Sequence, residues 1–172
     1  PYPRRFRLAL KAAPLGRPFR GALRRLGFAE LATMIEMAPV VLPRSARFRG
    51  PGTAATTSER RARVILLAGC AQQVLRPSIN DATIRLLARR GIDVVVASGA
   101  GCCGALVHHL GREDGAKAQV RRDVDAWHKE IGKGPVDAIL INASGCGTMV
   151  KDYGHLLNDD PVYADKARAV SD

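Results

Sequence analysis

Four cysteines carry the chemistry on offer: Cys70, then 31 intervening residues, then the adjacent pair Cys102-Cys103, then 42 residues, then Cys146. Each sits among small residues, in Gly69-Cys70-Ala71, Gly101-Cys102-Cys103-Gly104 and Ser144-Gly145-Cys146-Gly147. Four thiolates are the ligand set of an iron-sulfur cluster or of a structural zinc site. Flanking glycines let the backbone approach closely and leave N–H groups free to bond cluster sulfur. Competing fates of cysteine are weaker. A core cysteine is a small apolar filler, but filler has no reason to collect in glycine-rich loops. A disulfide framework belongs to secreted chains, and the sequence shows no secretory apolar region. The adjacent Cys102-Cys103 pair also admits redox-active thiol chemistry.

A second motif overlaps the first, because Gly99-Ala100-Gly101-Cys102-Cys103-Gly104 matches the dinucleotide fingerprint G-x-G-x-x-G. That fingerprint wants an acid at the end of the next strand to hold a ribose. The next strand ends in Asn142, and Asp123 and Asp125 fall inside a helical stretch. Nucleotide binding is therefore not expected. His108 and His109 follow the Cys-Cys loop closely enough to reach it, whereas His128 and His155 fall on helices. Surface positions or support behind the thiols are the expected roles for all four.

Positioning these cysteines falls to a repeated strand-helix unit. Val64 to Ala68, Ile92 to Ala97 and Val136 to Ile141 are short continuous apolar runs, the pattern of strands covered on both faces. Each is followed by a cysteine-bearing loop and a helical pattern. The first helix starts near Pro77, buries Ile79, Ala82, Leu86 and Leu87, and stops at Gly91. The second carries Ala116, Val120, Val124, Trp127 and Ile131, and the third runs through Val150, Tyr153 and Leu157. The expected fold is a three-layer, Rossmann-like α/β arrangement, a parallel sheet with helices on both faces. Loops after parallel strands share one sheet edge, so the four thiols should meet there.

The net charge of +11 is local: residues 1–63 hold 14 Lys/Arg against Glu30, Glu36 and Glu59, and residues 64–172 hold 13 of each sign. The basic part has one helical patch around Phe28, Leu31, Ile35 and Ala38, ended by Pro39 and Pro43. Residues 49–58 have linker composition, which divides the chain into a basic linker and helical segment, 1–60, and a cysteine-rich domain, 61–172. The arginines lack interleaved aromatics and the ordered part is neutral, so no nucleic-acid partner is expected. No apolar run reaches membrane-spanning length, and a soluble cytoplasmic protein is expected. Both chain ends read as those of a fragment.

Cys70, Cys102-Cys103-Gly104 and Cys146 at these spacings resemble the cysteine-rich CCG domain. That domain occurs in heterodisulfide reductase subunits and in proteins of anaerobic glycerol-3-phosphate and lactate oxidation. It also occurs in iron-sulfur subunits of glycolate oxidase (glycolate dehydrogenase). The wording Leu67-Ala68-Gly69-Cys70-Ala71-Gln72, Gly101-Cys102-Cys103-Gly104-Ala105, Ala143-Ser144-Gly145-Cys146-Gly147 and Tyr163-Ala164-Asp165-Lys166-Ala167-Arg168 is most similar to the last group. The resemblance implies that Cys70, Cys102, Cys103 and Cys146 ligate a metal centre. The broader family pattern ends in Cys-x-x-Cys, and Ala143 stands at the first of those places. Four ligands remain, enough for a [4Fe-4S] cluster or for zinc instead. The resemblance further implies an electron relay that works with FAD-containing subunits oxidising glycolate to glyoxylate, with a quinone acceptor at the inner face of the cytoplasmic membrane. The ferredoxin domain and second CCG domain of complete subunits are not found in this sequence.

Overall fold

A computed structural model describes residues 2–44, 51–56 and 59–171. The basic segment is more helical than its composition implies, with α1 (Pro3–Gly16), a 3-10 turn (Arg17–Phe19), α2 (Arg20–Arg25) and α3 (Ala29–Met37). Proline at the first position of α1 costs nothing there, since its missing N–H would have been unpaired. Alanines and leucines then carry the helix, although their spacing leaves no buried face. Arginines tie the segment together: Arg24 donates to Glu36 (2.7 Å), Arg7 to the Pro43 carbonyl (2.7 Å) and Arg17 to the Ala38 carbonyl (2.8 Å). Ala38 turns extended before Pro39, as a residue preceding proline should.

Downstream, β1 (Gly52–Ala54), β2 (Ala62–Leu67), α4 (Gln72–Leu75), α5 (Pro77–Arg89), β3 (Ile92–Val96), α6 (Ala105–His109) and α7 (Glu113–Ile131) follow in order. The chain continues through β4 (Ala138–Ile141), α8 (Ser144–Lys151), α9 (Tyr153–Leu156) and α10 (Ala164–Ser171). The sheet order is β1-β3-β2-β4. As expected, β2 pairs in parallel with both β3 (Val64 opposite Val94) and β4 (Leu66 opposite Leu140).

Strand β1 was not expected. It arises from the stretch read as linker and pairs antiparallel with β3, Thr53 opposite Val95. Three residues at a sheet edge need no apolar run, so composition alone hides such a strand; Arg49, Gly50, Thr57 and Ser58 of that stretch lie outside the described residues.

Alternation along β2 divides the core. Val64 and Leu66 face α5 through Ile84 and Leu87. Ile65 and Leu67 face the opposite layer, where Val120, Val124 and Trp127 of α7 meet Val150, Tyr153, Leu157 and Val170. Helices thus cover both faces. The buried side of α5 differs from the expected one: Pro77, Asn80 and Ile84 are buried, while Ile79 and Leu86 are 43% and 60% exposed. A polar residue at the centre of the stripe, Asn80, disguised it.

A charged pair and a lone acid inside this layered core generate predictions. Arg63 on β2 reaches Glu130 on α7 (3.0 Å) with both side chains nearly buried, and it also donates to the Glu130 carbonyl (3.0 Å). Lys133 offers Glu130 a second, more exposed partner at 2.6 Å. Arg63→Met should cost about 3 kcal/mol, because a buried carboxylate loses its inner partner, read as a lower urea midpoint at unchanged m. An unchanged midpoint would mean that Lys133 alone satisfies Glu130.

Asp123 lies in the apolar stripe of α7, 1% exposed. Desolvation by burial pushes its carboxyl up to about 7, against the pull of hydrogen bonds from the Gly101 amide and the Tyr153 hydroxyl. An acid whose folded-state pKa lies above its unfolded value favours the folded state while both forms are protonated. That advantage disappears as pH climbs through the interval between the two values. Metal-free protein should therefore lose stability, on the order of a few kcal/mol, between about pH 4 and about pH 7. Asp123→Asn should flatten that slope in urea titrations run across the same range.

Candidate metal centre

Each cysteine is held by a local device that the sheet makes available. Cys70 follows the end of β2 and Gly69, whose φ of +71° turns the chain out of the strand. Cys102 and Cys103 lie in the loop after β3, 7% and 3% exposed. Gly104 then starts α6 with φ +89°, and a Cβ there would stand 3.3 Å from the Ala116 carbonyl and 3.4 Å from Met149 Cε. Only glycine suits that combination of left-handed backbone and close contact. Cys146, expected in the loop after the third strand at or just before a helix start, lies in the first turn of α8. First-turn amides have no partner within the helix, which favours an anionic sulfur there.

Polar side chains fix the strand ends that carry these loops. Asn80 donates to the Ala68 carbonyl at the end of β2 (2.8 Å) and accepts from Asn142 beyond β4 (3.1 Å). Gln73 donates to the Gly69 carbonyl (2.7 Å). Asn142, the residue that argued against a ribose site, thus braces the Cys146 loop against the Cys70 loop.

The four thiols are free and meet at one sheet edge. Neighbouring thiols interact in sequence: Cys70 with Cys102, Cys102 with Cys103, and Cys103 with Cys146. The interaction with Cys102, then burial, pushes the Cys70 thiol far up. The interaction with Cys103 raises Cys102. Cys102 pulls Cys103 down, but Cys146 and burial outweigh it and push Cys103 up to about 11. Cys146 is lowered by Cys103 beside it. Backbone amides of Ala71, Gly104 and Ala105 bond the sulfurs of Cys70, Cys102 and Cys103 and favour their ionised forms. Among the described residues, no three His, Cys, Asp or Glu side chains form a ready cage for one ion. The thiols lie side by side instead. Four soft sulfur donors with amides directed at them match, in chemistry, the donor set of an iron-sulfur cluster or zinc.

Two residues behind the loop escaped the sequence reading. Asp123 accepts from the Gly101 amide (2.9 Å), and the Tyr153 hydroxyl lies 3.0 Å from the Cys103 carbonyl, to which it donates, and 3.2 Å from Asp123 Oδ2. An acid at a stripe position between Val120 and Trp127 is the signal that could have revealed the first. The Gly101 amide is already engaged by a carboxylate, which disfavours a phosphate in this loop. His108 and His109 form a tilted ring pair at 5.9 Å, and His128 Nε2 lies 3.1 Å from the Lys166 carbonyl.

Comparison with known proteins finds iron-sulfur subunits among the relatives of this chain. The chain is 45% identical over 136 residues to the glycolate oxidase iron-sulfur subunit of Escherichia coli strain K12, covering 76% of this chain and 33% of that protein. It is 36% identical over 107 residues to a probable glycolate oxidase iron-sulfur subunit of Bacillus subtilis strain 168, covering 62% of this chain and 23% of that one. Lactate utilization protein A of the same strain is 29% identical over 110 residues, covering 64% of this chain and 44% of that one. The chain thus spans less than half the length of these relatives. No solved structure matches it. The cysteine-rich domain family CCG matches residues 64–151, which include all four cysteines and three of the four strands, and this chain belongs to that family.

Proposed function

We propose that this chain is the electron-relaying, iron-sulfur part of a glycolate dehydrogenase, with Cys70, Cys102, Cys103 and Cys146 as ligands of one [4Fe-4S] cluster. The row of four thiols drawn from three separate loops carries the reading, and the similarity to glycolate oxidase iron-sulfur subunits gives it a reaction. When bound, such a cluster supplies one-electron exchange. The protein's part is to gather the sulfurs, exclude water from Cys102 and Cys103, and direct the amides of Ala71, Gly104 and Ala105 at them. Loading must displace protons from Cys70, Cys102 and Cys103, so metal affinity should rise with pH.

The partners that fit are FAD-containing subunits that oxidise glycolate to glyoxylate, with a quinone as the onward acceptor. Residues 61–172 form the cysteine-rich unit of the proposal, and residues 1–60 a basic arm that lends it the edge strand β1. That arm exposes Phe19, Phe28, Met34 and Val41 among its arginines, a surface suited to a partner subunit or to the inner face of the cytoplasmic membrane. Among the described residues, no helix is long and apolar enough to cross a membrane.

Anaerobic purification followed by iron, sulfide and zinc analysis tests the reading. The expected protein is brown, holds iron and sulfide in equal amounts, and loses visible absorbance on reduction. Cys→Ser at each of positions 70, 102, 103 and 146 should cost most of the bound metal to a similar degree. A variant that keeps full occupancy removes its residue from the ligand set. A colourless, zinc-bearing protein would replace the relay with a zinc-stabilised assembly module.

A further inference from the structure

Beneath the Cys102-Cys103 turn lies a buried pair that stability alone does not explain. Asp123 and Tyr153 are 1% and 0% exposed, in a layer otherwise built from Val120, Val124, Trp127 and Met149. Among the described residues, Asp123 accepts from the Gly101 amide, lies 3.2 Å from the Tyr153 hydroxyl and forms no ion pair. Burying a carboxylate with neutral partners is costly, and an apolar residue would fill the space more cheaply. The Tyr153 ring is stacked on Trp127 at 6.0 Å and 19°, so its hydroxyl has little freedom.

The bonds reach both ends of one short segment. Asp123 takes the amide of Gly101, immediately before Cys102, and Tyr153 takes the carbonyl of Cys103, immediately after it. Both sulfurs are thereby fixed relative to α7 and α9, and the following amides of Gly104 and Ala105 are held against them. We infer that Asp123 and Tyr153 are positioning residues of the metal centre. They clamp the Gly101-Cys102-Cys103 turn from below, and the carboxylate, once ionised, places a negative charge behind the sulfurs that lowers the reduction potential. This rests on the reading of the four cysteines as cluster ligands. Groups that touch the ligands rather than the metal commonly act this way.

The test uses the complete subunit, purified anaerobically, as wild type, Asp123→Asn and Tyr153→Phe. Tyr163→Phe serves as control, since it removes a phenol bonded to Asp125 on the surface. Asp123→Asn keeps the shape and the acceptor for Gly101 but removes the charge. At pH 8 its midpoint potential should rise relative to wild type while iron and sulfide content is retained. Tyr153→Phe frees the Cys103 carbonyl, and in metal-free protein the alkylation rate of Cys102 and Cys103 should rise about tenfold. Tyr163→Phe should change neither quantity. A wild-type potential in Asp123→Asn overturns the electrostatic role, and wild-type alkylation in Tyr153→Phe overturns the clamp. Wild-type protein that holds no more iron than Cys70→Ser would sink the cluster reading itself. Alkylation of Tyr153→Phe would then still decide whether the turn is clamped. Should Asp123→Asn fail to fold, the potential of Tyr153→Phe takes its place, and no shift there counts against the role.

Discussion

Thiols crowded at one sheet edge resist losing their protons together, because each thiolate formed raises the cost of the next. In this protein the conflict falls unequally: burial and neighbouring thiols raise Cys70, Cys102 and Cys103, while Cys146, at a helix start, is lowered by Cys103 beside it. A bound cation would settle it differently, by offsetting part of the charge of all four thiolates at once. Much else in the fold follows from holding the sulfurs close enough for that choice to arise. Parallel pairing of β2 with β3 and β4 brings three loops to one side. The Asn80 hydrogen bonds keep two of those loops in register.

Rigid backing for the site comes from the layer built on α7. Trp127 and Tyr153 are completely buried, and their contact fixes the phenol that reaches the Cys103 carbonyl. Gly104 matters for a related reason, since a side chain there would push α6 away from Ala116 and Met149. The same glycine that matched a nucleotide fingerprint is required by packing and by the left-handed turn into α6. A short motif can therefore arise from backbone demands without the ligand with which it is usually associated.

Much of this was legible in the residues. Continuous apolar runs at Val64, Ile92 and Val136 marked three strands, although β4 at the sheet edge has no buried residue, and strand-helix repetition implied parallel pairing. The gathering of the cysteine-bearing loops at one sheet edge followed from that topology. Hidden features had a common cause, polar or small residues in structural roles. Strand β1 pairs through Gly52, Thr53 and Ala54, which carry no apolar signal. The buried face of α5 is centred on Asn80, and an apolar reading chose Ile79 and Leu86 instead. Asp123 was noticed only as an acid in the wrong place for a ribose. Its partners lie 22 and 30 residues away, and no local pattern announces them. The helices α1 and α2 depend on contacts such as Arg24 with Glu36 rather than on a buried stripe.

The antiparallel strand β1 has a further bearing on how this sheet meets its surroundings. It lies against the outer side of β3, while β4 is hydrogen-bonded to β2 alone among the described strands. Lateral growth on the β1 side would have to build on a three-residue ribbon, whereas the β4 side offers a longer hydrogen-bonding rim flanked by Val136, Val150 and Val170. The two flanks are therefore inequivalent. The groove along the β4 rim reaches Gly147 in the first turns of α8, the residue that follows Cys146.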